Sequence, residues 1–247
     1  MAIKKSILGV YAHPDTPATL GKVREQEMRC AAQKIGVHNL FFLDYRDSGM
    51  MGTPENNDPR ALWQASVLEV AGKIVRLVRA HNPQIVLTFD ANGGYGHPDH
   101  LKIHQATLMA YFVAGDPRAF PEQLQEGLEV WNPLKLYWGA FPRSRFEKYK
   151  EMAEQAQIEL PTPMKEFLKR ALPDEVITTR IDVADFVDLK LDSLRCHASQ
   201  ANPNSFWNKI PPEIRREGIK VETLIRAESR VQVAREPMEE DLFAGIG

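Results

Sequence analysis

The feature that most constrains this chain is an alternation. Short apolar runs, too brief to be helices, alternate with longer stretches of helical spacing. Ser6–Tyr11, Leu40–Leu43 and Gln84–Phe89 read as buried strands, the last being the most apolar. Helical patterns run from Lys22 to Ile35, Ala61 to Ala80 and Asp99 to Phe112. Strands that alternate with helices predict an α/β fold, a largely parallel sheet with helices on both faces. Further on, Lys135–Gly139 and Val176–Val183 read as strands, and 145–157 and Asp185–Cys196 as helices. Pro117–Trp131 reads as irregular, and Gly218–Ile225 as extended. With no repeat, low-complexity stretch or linker in view, residues 1–247 are expected to form a single domain.

Charge narrows the partners. The 31 basic and 33 acidic residues leave a net charge of −2, without the basic stripe of a nucleic-acid binder. The expected partner is a small molecule. The apolar run near the start is short and ends at His13-Pro14-Asp15, unlike a signal peptide. No stretch approaches the ~18 apolar residues of a transmembrane span. Cys30 and Cys196 lie far apart in two predicted helices. They are expected to be small core residues of a reducing, cytoplasmic compartment.

Two His-Pro-Asp tripeptides stand where sites form, just past the ends of predicted strands. His13-Pro14-Asp15 follows the first strand, and Gly93-Gly94-Tyr95-Gly96-His97-Pro98-Asp99-His100 follows Gln84–Phe89. Imidazoles and carboxylates gathered at one sheet edge suit a borderline-soft divalent ion, and such donors accept zinc, iron(II) or manganese(II). A carboxylate there can take a proton from water, and an imidazole can return one to a leaving amine. The plainer alternative is two loop turns capped by aspartate. His104, one helical turn past His100, is expected to pack beside the site.

These motifs, together with Tyr45-Arg46-Asp47-Ser48-Gly49-Met50 and His197-Ala198-Ser199-Gln200, resemble the PIG-L/LmbE-like zinc-dependent deacetylases of N-acetylglucosamine conjugates. Within that family they resemble the branch of the mycothiol deacetylase and mycothiol-conjugate amidase. The resemblance covers nearly the whole chain and implies a Rossmann-like fold. It implies that His13 and His100 bind the metal, with Asp15 as general base. It makes His97 the general acid, oriented by Asp99, and Tyr95 a donor to the developing oxyanion. Arg24 and Asp47 fall where the family binds its sugar, and His197, just past a predicted helix, is expected to enter the crevice as a further substrate-binding residue. The implied activity is removal of an acetyl or acyl group from an amide nitrogen.

One departure accompanies the match. The family reads His-Pro-Asp-Asp-Glu, its second Asp being the third metal ligand, whereas this chain has Thr16 and Pro17. Only Thr16–Val23 then separates the motif from Arg24, so one βα unit is missing. Losing a central unit should open the sheet or expose apolar surface. Two other functions stay open on the sequence. One is a catalytically inactive relative that binds sugar conjugates or a protein. The other is a nucleotide module using the glycines at 93, 94 and 96 as a phosphate cradle.

Overall fold

A computed structural model describes residues 8–13, 17–155, 157–158, 171–201, 206–234 and 238–246. Among these, β1 (Leu8–His13) leads into α1 (Pro17–Lys34) and β2 (Asn39–Arg46). Then come α2 (Val67–His81), β3 (Ile85–Thr88), α3 (Pro98–Val113) and the short α4 (Pro121–Gln125). The remainder is β4 (Lys135–Gly139), α5 (Arg143–Gln155), β5 (Thr179–Asp182), α6 (Val187–Arg195), α7 (Pro212–Gly218) and β6 (Val221–Ser229). No helix among the described residues is long and apolar enough to cross a membrane.

The α/β expectation holds, and the sheet comes in two parts. β1 and β2 form a parallel pair, while β3-β4-β6-β5 form a separate sheet. In the latter, β3 and β4 are parallel and β6 runs antiparallel to both its neighbours. Among the described residues β3 is thus an edge strand, and its Leu87 is 58% exposed despite the most apolar run in the chain.

The core that positions the site lies between α2 and α3. On α3, Ala106 and Ala110 recur at four-residue spacing, with Ala114 one step beyond, and all are fully buried. These small side chains let Val70, Ala71, Ile74, Val75 and Val78 of α2 approach closely. Each fully buried valine or isoleucine contributes about 1.5–3 kcal/mol. α2 starts at Val67, later than the periodicity suggests, because Ser66 caps it by accepting the Glu69 N–H. Residues 61–65 instead turn back on β2, where Leu62 N–H bonds the Arg46 carbonyl. The irregular stretch before β4 is held by the buried Arg79, whose guanidinium donates to the carbonyls of Ala114, Asp116, Ala119 and Phe120.

The C-terminal segment is pinned beneath β4. Glu239 accepts from Lys135 Nζ, Tyr137 Oη and Thr179 Oγ1, each at 2.8–2.9 Å, and all four side chains are buried.

The two cysteines correct the sequence expectation. Cys30 of α1 and Cys196, directly after α6, form a disulfide across 166 residues, with Cα atoms 5.8 Å apart. Neither is core: Cys30 is exposed and Cys196 half-buried. Helical periodicity reports which face a residue occupies, and here that face meets another helix at the surface.

Candidate metal and active site

The second motif is built by a strand end, a glycine turn and a helix start. After β3, Asp90 accepts the Gly94 N–H on its carboxylate at 2.7 Å. Gly93 adopts φ +60°, and a Cβ there would lie 3.0 Å from both the His100 Cβ and the Leu101 nitrogen. Glycine is therefore required on both backbone and packing grounds. With the Gly94 N–H committed to a carboxylate, the phosphate-cradle alternative loses its donor and meets like charge.

The close turn presents the Gly93 carbonyl to His100 Nδ1 at 3.1 Å. An Nδ1 that donates leaves the Nε2 lone pair free, the tautomer of a metal ligand. Phe89 stacks on the ring at 3.8 Å, and burial lowers the pKa of His100, which favours the neutral ring. His104 bonds the Phe89 carbonyl at 2.8 Å and packs edge-on to Trp138, beside the site as expected.

His97 caps α3: its Nδ1 accepts the Asp99 N–H at 3.2 Å, and Pro98 occupies the first helical position. An accepting Nδ1 leaves the proton of the neutral ring on Nε2. The Asp99 carboxylate lies 4.0 Å from that Nδ1 and bonds elsewhere. It accepts the Ser48 N–H at 3.1 Å and the Ser48 hydroxyl. Burial raises the Asp99 pKa, against the opposing effect of the Ser48 hydrogen bonds. Tyr95 stands edge-on to His97 and His100, with ring centroids 6.0 and 5.1 Å away.

The loop after β2 delivers Asp47 and Ser48. It closes on itself through Arg46 N–H to the Arg60 carbonyl. Inside it, buried Asn56 donates to the carbonyls of Ser48 and Met50 and accepts the Gly52 N–H. Ser48 is completely buried, and its hydroxyl also accepts the Trp63 N–H. Sequence reading missed Ser48 as a functional side chain; its only signal was its place in the Arg-Asp-Ser-Gly-Met motif.

Among the described residues, Asp47, His97 and Asp99 bring one potential ligand atom each within 4.8 Å of one another. Both carboxylates in this trio already hold hydrogen bonds, Asp47 Oδ1 to the Gly49 N–H at 2.7 Å. Among the described residues His100 Nε2 has no hydrogen-bond partner, which makes it by donor chemistry the stronger candidate ligand. His13 ends β1 in parallel register with Arg46, one residue before Asp47. Its side chain, with Asp15 and Thr16, lies outside the described residues.

Arg24 Nη1 is 3.8 Å from Asp47 Oδ2, so two expected sugar-binding residues meet. The third, His197, is half-buried and precedes a 3-10 turn at Ala198–Gln200. Glu27 of α1 fixes that turn, accepting the Ser199 N–H at 2.6 Å and hydroxyl at 2.8 Å.

Fold and site together define a class: an α/β protein with titratable side chains gathered past parallel strand ends. Residues 7–111 match the GlcNAc-PI de-N-acetylase family, PIG-L. The 1D-myo-inositol 2-acetamido-2-deoxy-alpha-D-glucopyranoside deacetylase of Thermobispora bispora is 37% identical over 251 residues, 94% of this chain and 81% of the relative. That of Acidothermus cellulolyticus is 36% identical over 239 residues, 94% and 77% of the two chains. This chain belongs to the PIG-L family. Among solved structures, the N,N'-diacetylchitobiose deacetylase of Pyrococcus horikoshii has TM-score 0.56 at 19% identity, covering 90% of this chain and 71% of the other. The 4-carboxy-2-hydroxymuconate hydratase GalB of Pseudomonas putida has TM-score 0.53 at 16% identity, covering 93% and 87%. At such identity these two show the fold alone, and a fold that serves both a deacetylase and a hydratase leaves the chemistry to the site.

Proposed function

We propose that the protein hydrolyses the N-acetyl amide of an N-acetylglucosamine conjugate, with an inositol glycoside as the first substrate to test. The observation that carries this is the His97–His100 constellation, in a chain over a third identical to deacetylases of that substrate. The residues present fit a divalent ion: His100 offers an anchored, neutral imidazole, and the strand register puts the end of β1 beside Asp47. His13 and His100 would hold the ion, zinc first, with iron(II) or manganese(II) also suited to these donors. Bound there, it would supply Lewis acidity and lower the pKa of a water to about 7.

The chain's own groups supply the rest. Asp15 takes the proton of the attacking water. Tyr95 donates to the carbonyl oxygen as negative charge develops on it. His97 acts as the doubly protonated ring, releasing its Nε2 proton to the departing amine and returning to the neutral imidazole. When the His97 ring carries two protons, its Nδ1 can no longer accept the Asp99 N–H. The nearby Asp99 carboxylate then offsets the positive charge. Arg24, Asp47 and His197 bind the sugar.

We treat residues 1–247 as one catalytic domain. In support, Glu239 is buried against β4 and Cys196 is bonded to α1. We place the reaction in the cytoplasm. The binding-only reading is the weaker, since the relatives are named for hydrolysis.

The test is metal analysis of anaerobically purified protein, then acetate and free-amine release from N-acetylglucosaminyl-inositol. Metal-dependent release of both products is expected. Thr16→Asp, which restores a carboxylate beside Asp15, should raise metal affinity by about 10-fold or more, the scale of lesser changes around metal sites. Release of acetate that persists unchanged after complete metal removal would sink the proposal, as would none from metal-loaded Thr16→Asp.

A further inference from the structure

One stripe of α1 carries three long-range attachments at successive turns. Arg24 reaches Asp47, Glu27 holds Ser199 through both carboxylate oxygens, and Cys30 is bonded to Cys196. Residues spaced three apart share a helix face, so a force on one attachment is felt by the others. Among the described side chains of α1, apolar packing contributes little beside them. From Gly21 to Lys34, only Glu27, Ala31 and Ala32 are buried. Between α1 and α6, Ser193 adds one further bond, its hydroxyl donating to the Ala31 carbonyl at 3.4 Å. The covalent attachment is also the one that chemistry can reach, because Cys30 is exposed. Exposed disulfides are the labile ones toward thiols.

We propose that Cys30–Cys196 is a thiol-exchange site for low-molecular-weight thiols, and that its state sets the grip on the sugar conjugate. A thiolate attacks the Cys30 sulfur and expels the Cys196 thiolate, leaving a mixed disulfide on Cys30. A second thiolate attacks the outer sulfur of that mixed disulfide and frees Cys30. Two thiols become one small disulfide, and two protons end on Cys30 and Cys196. An oxidised small disulfide drives the reverse. With the bond open, the polar attachments left to α1 are the Glu27 clamp, the Arg24–Asp47 pair and the long Ser193 bond to the Ala31 carbonyl. The Ser199 turn and Arg24 then shift together, which weakens binding while His97, capping α3, keeps its place. The effect on turnover rests on the deacetylase reading; the exchange and the loosening do not.

The experiment treats the full chain with 2-mercaptoethanol or with reduced glutathione, then with iodoacetamide. Intact mass should show no alkylation without thiol and two carbamidomethyl groups after it. Hydrogen exchange should quicken in α1 and residues 197–200 while α2 and α3 stay protected. The KM for N-acetylglucosaminyl-inositol should rise about tenfold, the weight of one charged hydrogen bond, with kcat changed less than about twofold. Oxidised glutathione should reverse this. Cys30→Ser and Cys196→Ser should each match the reduced protein and ignore thiol.

Alkylation of both cysteines without thiol overturns the proposal, as does a bond that thiol never opens. Unchanged exchange at residues 197–200 after reduction overturns it too. Protection lost throughout, α2 included, would make the bond purely structural and also overturn it. Local loosening without hydrolysis in either state would support the exchange site and count against the deacetylase.

Discussion

The two sides of the site are held by different physics. The His97–His100 side is embedded: a glycine turn presses on His100, Phe89 stacks on its ring, and α3 packs its alanine stripe on α2. The α1 side is tethered. Among the described side chains of α1, those buried are Glu27, Ala31 and Ala32, whereas α2 buries Val70, Ala71, Gly72, Ile74, Val75, Val78 and Arg79. Apolar packing is spread over many contacts and tolerates the loss of any one. A tethered helix depends on a few side chains, so a single change there moves it. The chemistry is therefore expected to be robust on one side of the site and adjustable on the other.

Four substitutions test that division. The largest effect is expected at Asp15. Asp15→Asn should abolish acetate release and leave metal binding largely intact, measured by hydrolysis assay beside metal titration. Joint loss of metal and activity would make Asp15 a ligand, and the first motif would then be held by the ion as well.

Next is the support beneath β4. Glu239→Gln should cost about 3–5 kcal/mol in urea unfolding at neutral pH, because it leaves the buried Lys135 charge unpaired. The pH signature follows from the sign. Burial pushes the Glu239 carboxyl up, but hydrogen bonds from Lys135, Thr179 and Tyr137 outweigh it and leave the pKa lowered. A lowered folded pKa contributes stability above the ordinary glutamate range, which is lost as pH falls through the folded value. Unfolding curves of the variant should be flatter over that acid range. An unchanged acid slope would remove Glu239 as its source.

On the embedded side, His97→Ala should cut turnover by about 10²-fold, the usual weight of a positioned acid. Both kcat and kcat/KM should fall together. An unchanged kcat would take His97 out of the mechanism.

The smallest expected effect is at Ser48. Ser48→Ala removes the hydroxyl bond to buried Asp99 and should cost about 1–3 kcal/mol by chemical denaturation. Asp99 has the opposite sign to Glu239, since burial raises its pKa in the folded protein. Its contribution is full below the ordinary aspartate range and declines as pH rises through the raised value. Losing Ser48 raises that value further, so stability should keep falling to higher pH than in the parent. Equal profiles would show that the Ser48 N–H alone suffices.

Taken alone, the sequence determined the elements and the strand-end motifs, because these depend on neighbours a few residues apart. The apolar run before Asp90, the glycines at 93 and 94, and Pro98 opening α3 are local signals, and the structure follows each. Only the tertiary structure decided what those elements touch. Ser48 meets Asp99 across 51 positions, Glu27 meets Ser199 across 172, and Cys30 meets Cys196 across 166. Periodicity says which side of a helix a residue occupies, but not which distant segment arrives there. That choice is made by packing: burial raises the cost of an unpaired polar group, so Glu27, Ser48 and Glu239 are buried only where a distant partner meets them.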